Sequence, residues 1–163
     1  MRPGAEAGAS QQGAESDAEE VARLLGREPE GVFTVVVRGA GGHPVVIANA
    51  PFLRDGTPMP TRYWLVDPGL RVLVGRLEAA GGVREAEAQV DGAALADGHR
   101  RYAAERDALV PDDWAGPRPS GGVGGTRQGV KCLHAHLAWW LAGGDDVVGA
   151  WTAERLGLHR PAE

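Results

Sequence analysis

A single cysteine in 163 residues leaves no partner for an internal disulfide, so no cross-link holds the fold. No apolar run approaches the roughly 20 residues that a membrane-crossing helix needs. The chain opens without a charged n-region, an apolar h-region and a cleavage site. The expectation is a cytoplasmic protein with no membrane partner. Basic charge is also short, with 17 Lys and Arg against 22 Asp and Glu and a net charge of -5. Nucleic acid binding wants a basic stripe that releases counterions from phosphate, so no nucleic-acid partner is expected. Missing too are CxxC, HExxH and any internal repeat. The sequence names no cofactor.

What is present is a chain with 25 glycines and 11 prolines around a few periodic segments. That composition fits one α+β domain over residues 16–158, after a disordered tail over 1–15 whose Gly, Ala, Gln and charge cannot repay the entropy of ordering. Ser16 and Glu19 form a capping-box pattern ahead of Val21, Leu24 and Leu25, a short helical stripe that stops at Gly26. Residues 32–38 (VFTVVVR) and 44–48 (PVVIA) are β-branched and apolar around the turn GAGGH, which predicts a hairpin. Residues 61–66 (TRYWLV) give a third strand after the rigid turn DGTPMP. Leu70, Leu73, Val74 and Leu77 then recur at helical spacing up to Gly81-Gly82. Asp91-Gly92 and Asp97-Gly98 predict a broken helical pair across residues 83–109, followed by a long Pro/Gly connection over 107–125. A strong helix is expected from about Gly129 to Ala142, and a weak one around Trp151–Leu156. The build is a small antiparallel sheet of about three strands covered by four or five helices.

The segments LGR, VVIANAPFLRDGTPMPTRYWLVDP, RLEAAGG and GTRQGVKCLHAHLAWWLAGGDD together resemble the domain of unknown function 501 family over residues 22–156. The GVKCLHAH block is the most specific part. The resemblance implies a compact cytosolic bacterial protein and brings no activity with it. Members of that family often carry extra cysteines near the positions of Arg38–Gly39 and at that of Asp67. This chain has neither, which takes away the residues for a cysteine-rich metal site.

Chemistry concentrates in residues 120–146. Gly121, Gly122, Gly124, Gly125 and Gly129, with Thr126, Arg127 and Lys131, lead into a helix start where free N–H groups and two cations predict a cradle for a small anionic ligand. The spacing is not that of a P-loop. On a helix regular from Val130, the core stripe is Val130, Leu133, Leu137, Trp140 and Leu141. Cys132 and His136 then share one edge, and His134 takes the opposite one. Trp139 falls at the margin of the core. Two enzyme readings follow. Cys132 is a thiolate with a lowered pKa and His136 or His99 as base, or Cys132, His136 and His99 are three ligands of a zinc that activates water. His99 shares a helical face with Tyr102 and Arg106, of which Arg106 could reach the anion site, while Arg62 enters the third strand beside the turn. Glu85 and Glu87 read as a solvated helix face. The favoured expectation is an anion-binding module; the enzyme readings and a scaffold acting through the tail or a patch near Trp139 are the alternatives.

Overall fold

The computed structural model describes residues 17–160, so the expected tail and the Ser16 cap lie outside the described residues. Helix α1 occupies residues 17–25. Then follow β1 (Gly31–Arg38), β2 (Pro44–Leu53), β3 (Tyr63–Leu65), α2 (Pro68–Ala79), α3 (Gly82–Gln89), α4 (Gly92–Asp107), a 3₁₀ turn (Val123–Gly125), α5 (Leu133–Leu141) and α6 (Val147–Leu156). The sheet is antiparallel in the order β1-β2-β3, which makes the protein α+β with six helices among the described residues.

Alternation divides the sheet between two layers. Ile47 and Trp64 point with Phe33 and Val35 toward Val21, Leu24 and Leu25 of α1. Val46, Ala48, Tyr63 and Leu65 point the other way, into the main core with Leu133, Leu137, Trp139, Val148 and Trp151. The central strand β2 is buried on both faces, which is why its sequence shows no polar alternation. β1 is open along one face, with Val32 and Val36 exposed.

Caps set several boundaries. Asp67 accepts from the Leu70 N–H at 2.8 Å and Pro68 opens α2. Asp91 does the same for Ala94 in α4, and Asp146 for Val148 in α6. The expected break at Asp97-Gly98 is absent. Gly98 sits inside α4, buried, with the Trp139 ring 3.9 Å from where a Cβ would lie, so packing offsets its poor helix propensity of about 1 kcal/mol. Helix α5 starts four residues later than its apolar pattern suggests, because Cys132 is extended (φ -152°, ψ 155°) and Gly129 is left-handed (φ +66°).

The Trp pair is also the reverse of the expectation. Trp139 is 3% exposed, edge-on to Tyr102 at 5.2 Å, while Trp140 is partly exposed under Arg160. A one-sided apolar stripe belongs to a helix buried on one side. α5 is wedged between β3 and α6 and is buried nearly all round. α6 comes so close that a Cβ on Gly149 would sit 2.6 Å from the His136 carbonyl oxygen. Gly149→Ala is expected to lower stability by about 2–3 kcal/mol through overpacking, read as a shift in the urea midpoint.

Candidate functional site

The donors of the glycine loop are largely satisfied by the protein itself. The Val123 N–H donates to His99 Nδ1 at 3.0 Å, the Val130 N–H to Glu87 Oε1 at 2.8 Å, and the Leu133 N–H to Glu78 Oε2 at 2.9 Å. The Gly122 N–H bonds to the Thr126 carbonyl and the Gly125 N–H to the Gly122 carbonyl. The start of α5 therefore already holds a carboxylate, that of Glu78. Glu87 is exposed, as expected of a solvated face, and also clamps the loop, its carboxylate filling the place where a Cβ on Gly129 would go. Thr126 turns its hydroxyl back to the Gln128 carbonyl, and Arg127 is exposed.

The cationic site lies beside the loop, along β3. A cavity of about 450 Å³ is lined by Tyr63, Trp64 and Leu65 of the strand, Thr61 before it, Leu25 and Arg27 after α1, Arg71 of α2, and Gly124, Lys131, Cys132, His134 and Ala135. Three cationic residues, all exposed, are among those that line it, and no carboxylate is. Arg27 stands 5.5 Å over the Trp64 ring and Arg71 donates to the Leu24 carbonyl. Among the described residues, none of Arg27, Arg71 and Lys131 is in an ion pair. Lys131 and Cys132 are the only lysine and cysteine of the chain. Of the expected cradle, Gly124 and Lys131 line the cavity; Gly125, Thr126, Arg127 and Gly129 do not.

The histidines separate. His134, not His136, shares the cavity with Cys132; its Nδ1 lies 2.7 Å from Glu78 and its Nε2 faces the Arg71 carbonyl at 3.4 Å. His136 is 1% exposed, and its Nδ1–H donates to Asp146 at 2.6 Å. Among the described residues its Nε2 is buried without a partner, and its ring meets that of His99 edge-on at 5.7 Å. Both nitrogens of His99 are engaged, Nε2–H donating to the Gly129 carbonyl at 2.8 Å. The Cys132–His136 pairing fails because Cys132 precedes the helix, so helical phase cannot relate it to His136. Among the described residues no group of three or more His, Cys, Asp and Glu is placed to hold a metal. Burial pushes the Cys132 thiol above its ordinary value, outweighing the pull of the Ala135 N–H, which reverses the expected lowering.

His99 ties the loop to pH. Burial, with the nearby His136, holds its pKa below the ordinary value, against the pull of the Gly129 carbonyl. A group whose pKa is lowered on folding stabilises the fold fully above its unfolded value, about 6.5, and loses that contribution as pH falls through the folded value. Melting temperature is expected to rise between about pH 5 and 7, with a smaller rise in His99→Gln. An equal rise in both proteins would contradict the assignment.

Behind the cavity, a buried polar frame positions β3. The Tyr102 hydroxyl accepts from the Arg62 and Tyr63 N–H groups at 2.6 and 3.2 Å. Arg106, 1% exposed, donates to the Pro60 and Gly121 carbonyls at 3.0 and 2.9 Å and to Asp107. Glu105 accepts from the Tyr63 hydroxyl and from Trp139 Nε1, and burial, then that bond, pushes the Tyr63 phenol up to about 12. Arg62 bonds to the Asn49 carbonyl at 2.6 Å and lies off the cavity. Tyr102, Arg106 and Arg62 thus shape the site without lining it. Sequence reasoning missed Arg27, Arg71, Trp64, Glu78 and Asp146. Only Asp146 carried a local signal, as an Asp directly before an apolar helical run.

Residues 35–154 match the sequence profile of a family described as protein of unknown function DUF501. The chain belongs to the DUF501 family. No curated protein and no solved structure matches it. The DUF501 region runs from within β1 into α6 and includes every cavity residue except Leu25 and Arg27. No helix among the described residues is long and apolar enough to cross a membrane.

Proposed function

We propose that this DUF501 protein is a binding module for a small anionic molecule, held in the cavity beside β3 by Arg27, Arg71 and Lys131. The observation that carries the reading is that three cationic residues, unpaired among the described residues, line one cavity without a carboxylate in its wall. A cavity lined by cations of one sign favours an anion inside it. About 450 Å³ is the size of a small-molecule site. The glycine loop serves this site as a wall: His99, Glu87 and Glu78 fix its backbone, and Gly124 and Lys131 are what it presents. The enzyme readings gain no comparable support, since His99 and His136 lie off the cavity and burial disfavours the Cys132 thiolate.

Calorimetric titration with inorganic phosphate tests this. A charge-assisted hydrogen bond contributes about 1.5–3 kcal/mol, so Arg71→Ala and Lys131→Ala are each expected to weaken binding by about tenfold to a hundredfold. Arg127→Ala should leave it within about twofold. Absent binding to the unaltered protein, or equal losses in Arg127→Ala and Lys131→Ala, would contradict the proposal.

A further inference from the structure

The free edge of β3 adds a second kind of recognition to the cations. The Asn49 N–H donates to the Arg62 carbonyl at 2.6 Å and the Val66 N–H to the Val45 carbonyl at 2.9 Å, so residues 62 and 66 bond inward to β2. Bonded residues alternate in an antiparallel ladder. Trp64, opposite Ile47, therefore bonds inward as well, and Tyr63 and Leu65 turn their N–H and C=O groups to the outer edge. The Tyr63 N–H is met there by the Tyr102 hydroxyl. The N–H and C=O of Leu65 have no protein partner among the described residues, although Leu65 is 6% exposed and lines the cavity. Buried main-chain groups are almost always paired.

Resting on the anion-binding reading, we propose that the occupant is a heteroaromatic anion of nucleotide-like build. A flat nitrogen heterocycle bonds through its amide-type edge to the Leu65 main chain, and its phosphate or carboxylate reaches Arg27, Arg71 and Lys131. A donor and an acceptor on one residue match the paired donor and acceptor along such an edge. Trp64, Leu25, Leu65 and Ala135 supply apolar wall for the ring. A peptide strand fits less well, because it needs successive open residues along the edge. β3 has three residues, and Tyr102 already covers the Tyr63 donor.

The test is a calorimetric series with inorganic phosphate, phenyl phosphate, the nucleoside 5′-monophosphates and a short acidic peptide, together with amide hydrogen exchange at Leu65. At least one nucleotide is expected to bind tenfold or more tighter than phenyl phosphate and to slow exchange at Leu65, which inorganic phosphate leaves unchanged. If all the phosphates bind alike, or exchange at Leu65 does not respond, the heterocycle inference fails while the anion site stands. Binding of the peptide and not of the nucleotides overturns it too. If no probe binds, both readings fail.

Discussion

Asp146→Ala is expected to be among the most destabilising single substitutions in this protein, at about 3–4 kcal/mol. One carboxylate does two tasks in the core: Oδ1 caps α6 through the Val148 N–H at 3.0 Å, and Oδ2 accepts from His136 Nδ1 at 2.6 Å. The cap is worth about 1 kcal/mol. Losing the second bond strands an imidazole that is 1% exposed and, among the described residues, already lacks a partner at Nε2, which costs about 2–3 kcal/mol more. Asp146→Asn keeps one oxygen to cap α6, and its NH2 can donate to His136 Nδ1 once the ring takes the other tautomer, so its loss should be about half as large. Urea denaturation of the three proteins measures this, and equal midpoints for Asp146→Ala and the unaltered protein would refute the linchpin role. Because His136 and Asp146 lie off the cavity, phosphate affinity should be unchanged in Asp146→Asn below the melting temperature.

Arg106→Met is the second large effect, and it should reach the site. The Arg106 guanidinium joins the turn before β3, through Pro60, to the glycine loop, through Gly121. Methionine fills similar volume with no donor, leaving two carbonyls unpaired at about 1–3 kcal/mol each. Relief from burying a charge offsets part of that cost. A net loss of about 2–4 kcal/mol is expected, with weaker phosphate binding as Gly124 and Lys131 lose their support. Arg106→Lys should recover little, since a point charge cannot span both carbonyls as a guanidinium fork does. Thermal melts and phosphate titration check both parts. Normal affinity in a destabilised Arg106→Met protein would mean that the loop holds its shape without this clamp.

The elements that could be read in the sequence are those whose burial follows one local period. The β-branched hairpin, the Leu70–Leu77 stripe and the glycine stops all encode their structure within a few residues. α5 is harder to read because its neighbours surround it: a one-sided stripe reverses Trp139 and Trp140, and helical phase does not reach Cys132, which is extended ahead of the helix. Of the GVKCLHAH block, Lys131, Cys132 and His134 line the cavity. Arg27 and Arg71 had no such signal. They come from either side of the sheet segment and meet Lys131 only when α1, α2 and α5 pack around β3. Nor could the sequence reveal that the glycine loop's donors are taken by Glu78, Glu87 and His99, each from a different helix.

Amide chemical shifts during a phosphate titration of the isotopically labelled protein would locate the anion site. Saturable shifts are expected, centred on Gly124, Lys131 and Cys132 and extending to Arg27 and Arg71, with Arg127 and Gln128 quiet. Shifts centred on residues 125–129, or none that saturate, would contradict that location.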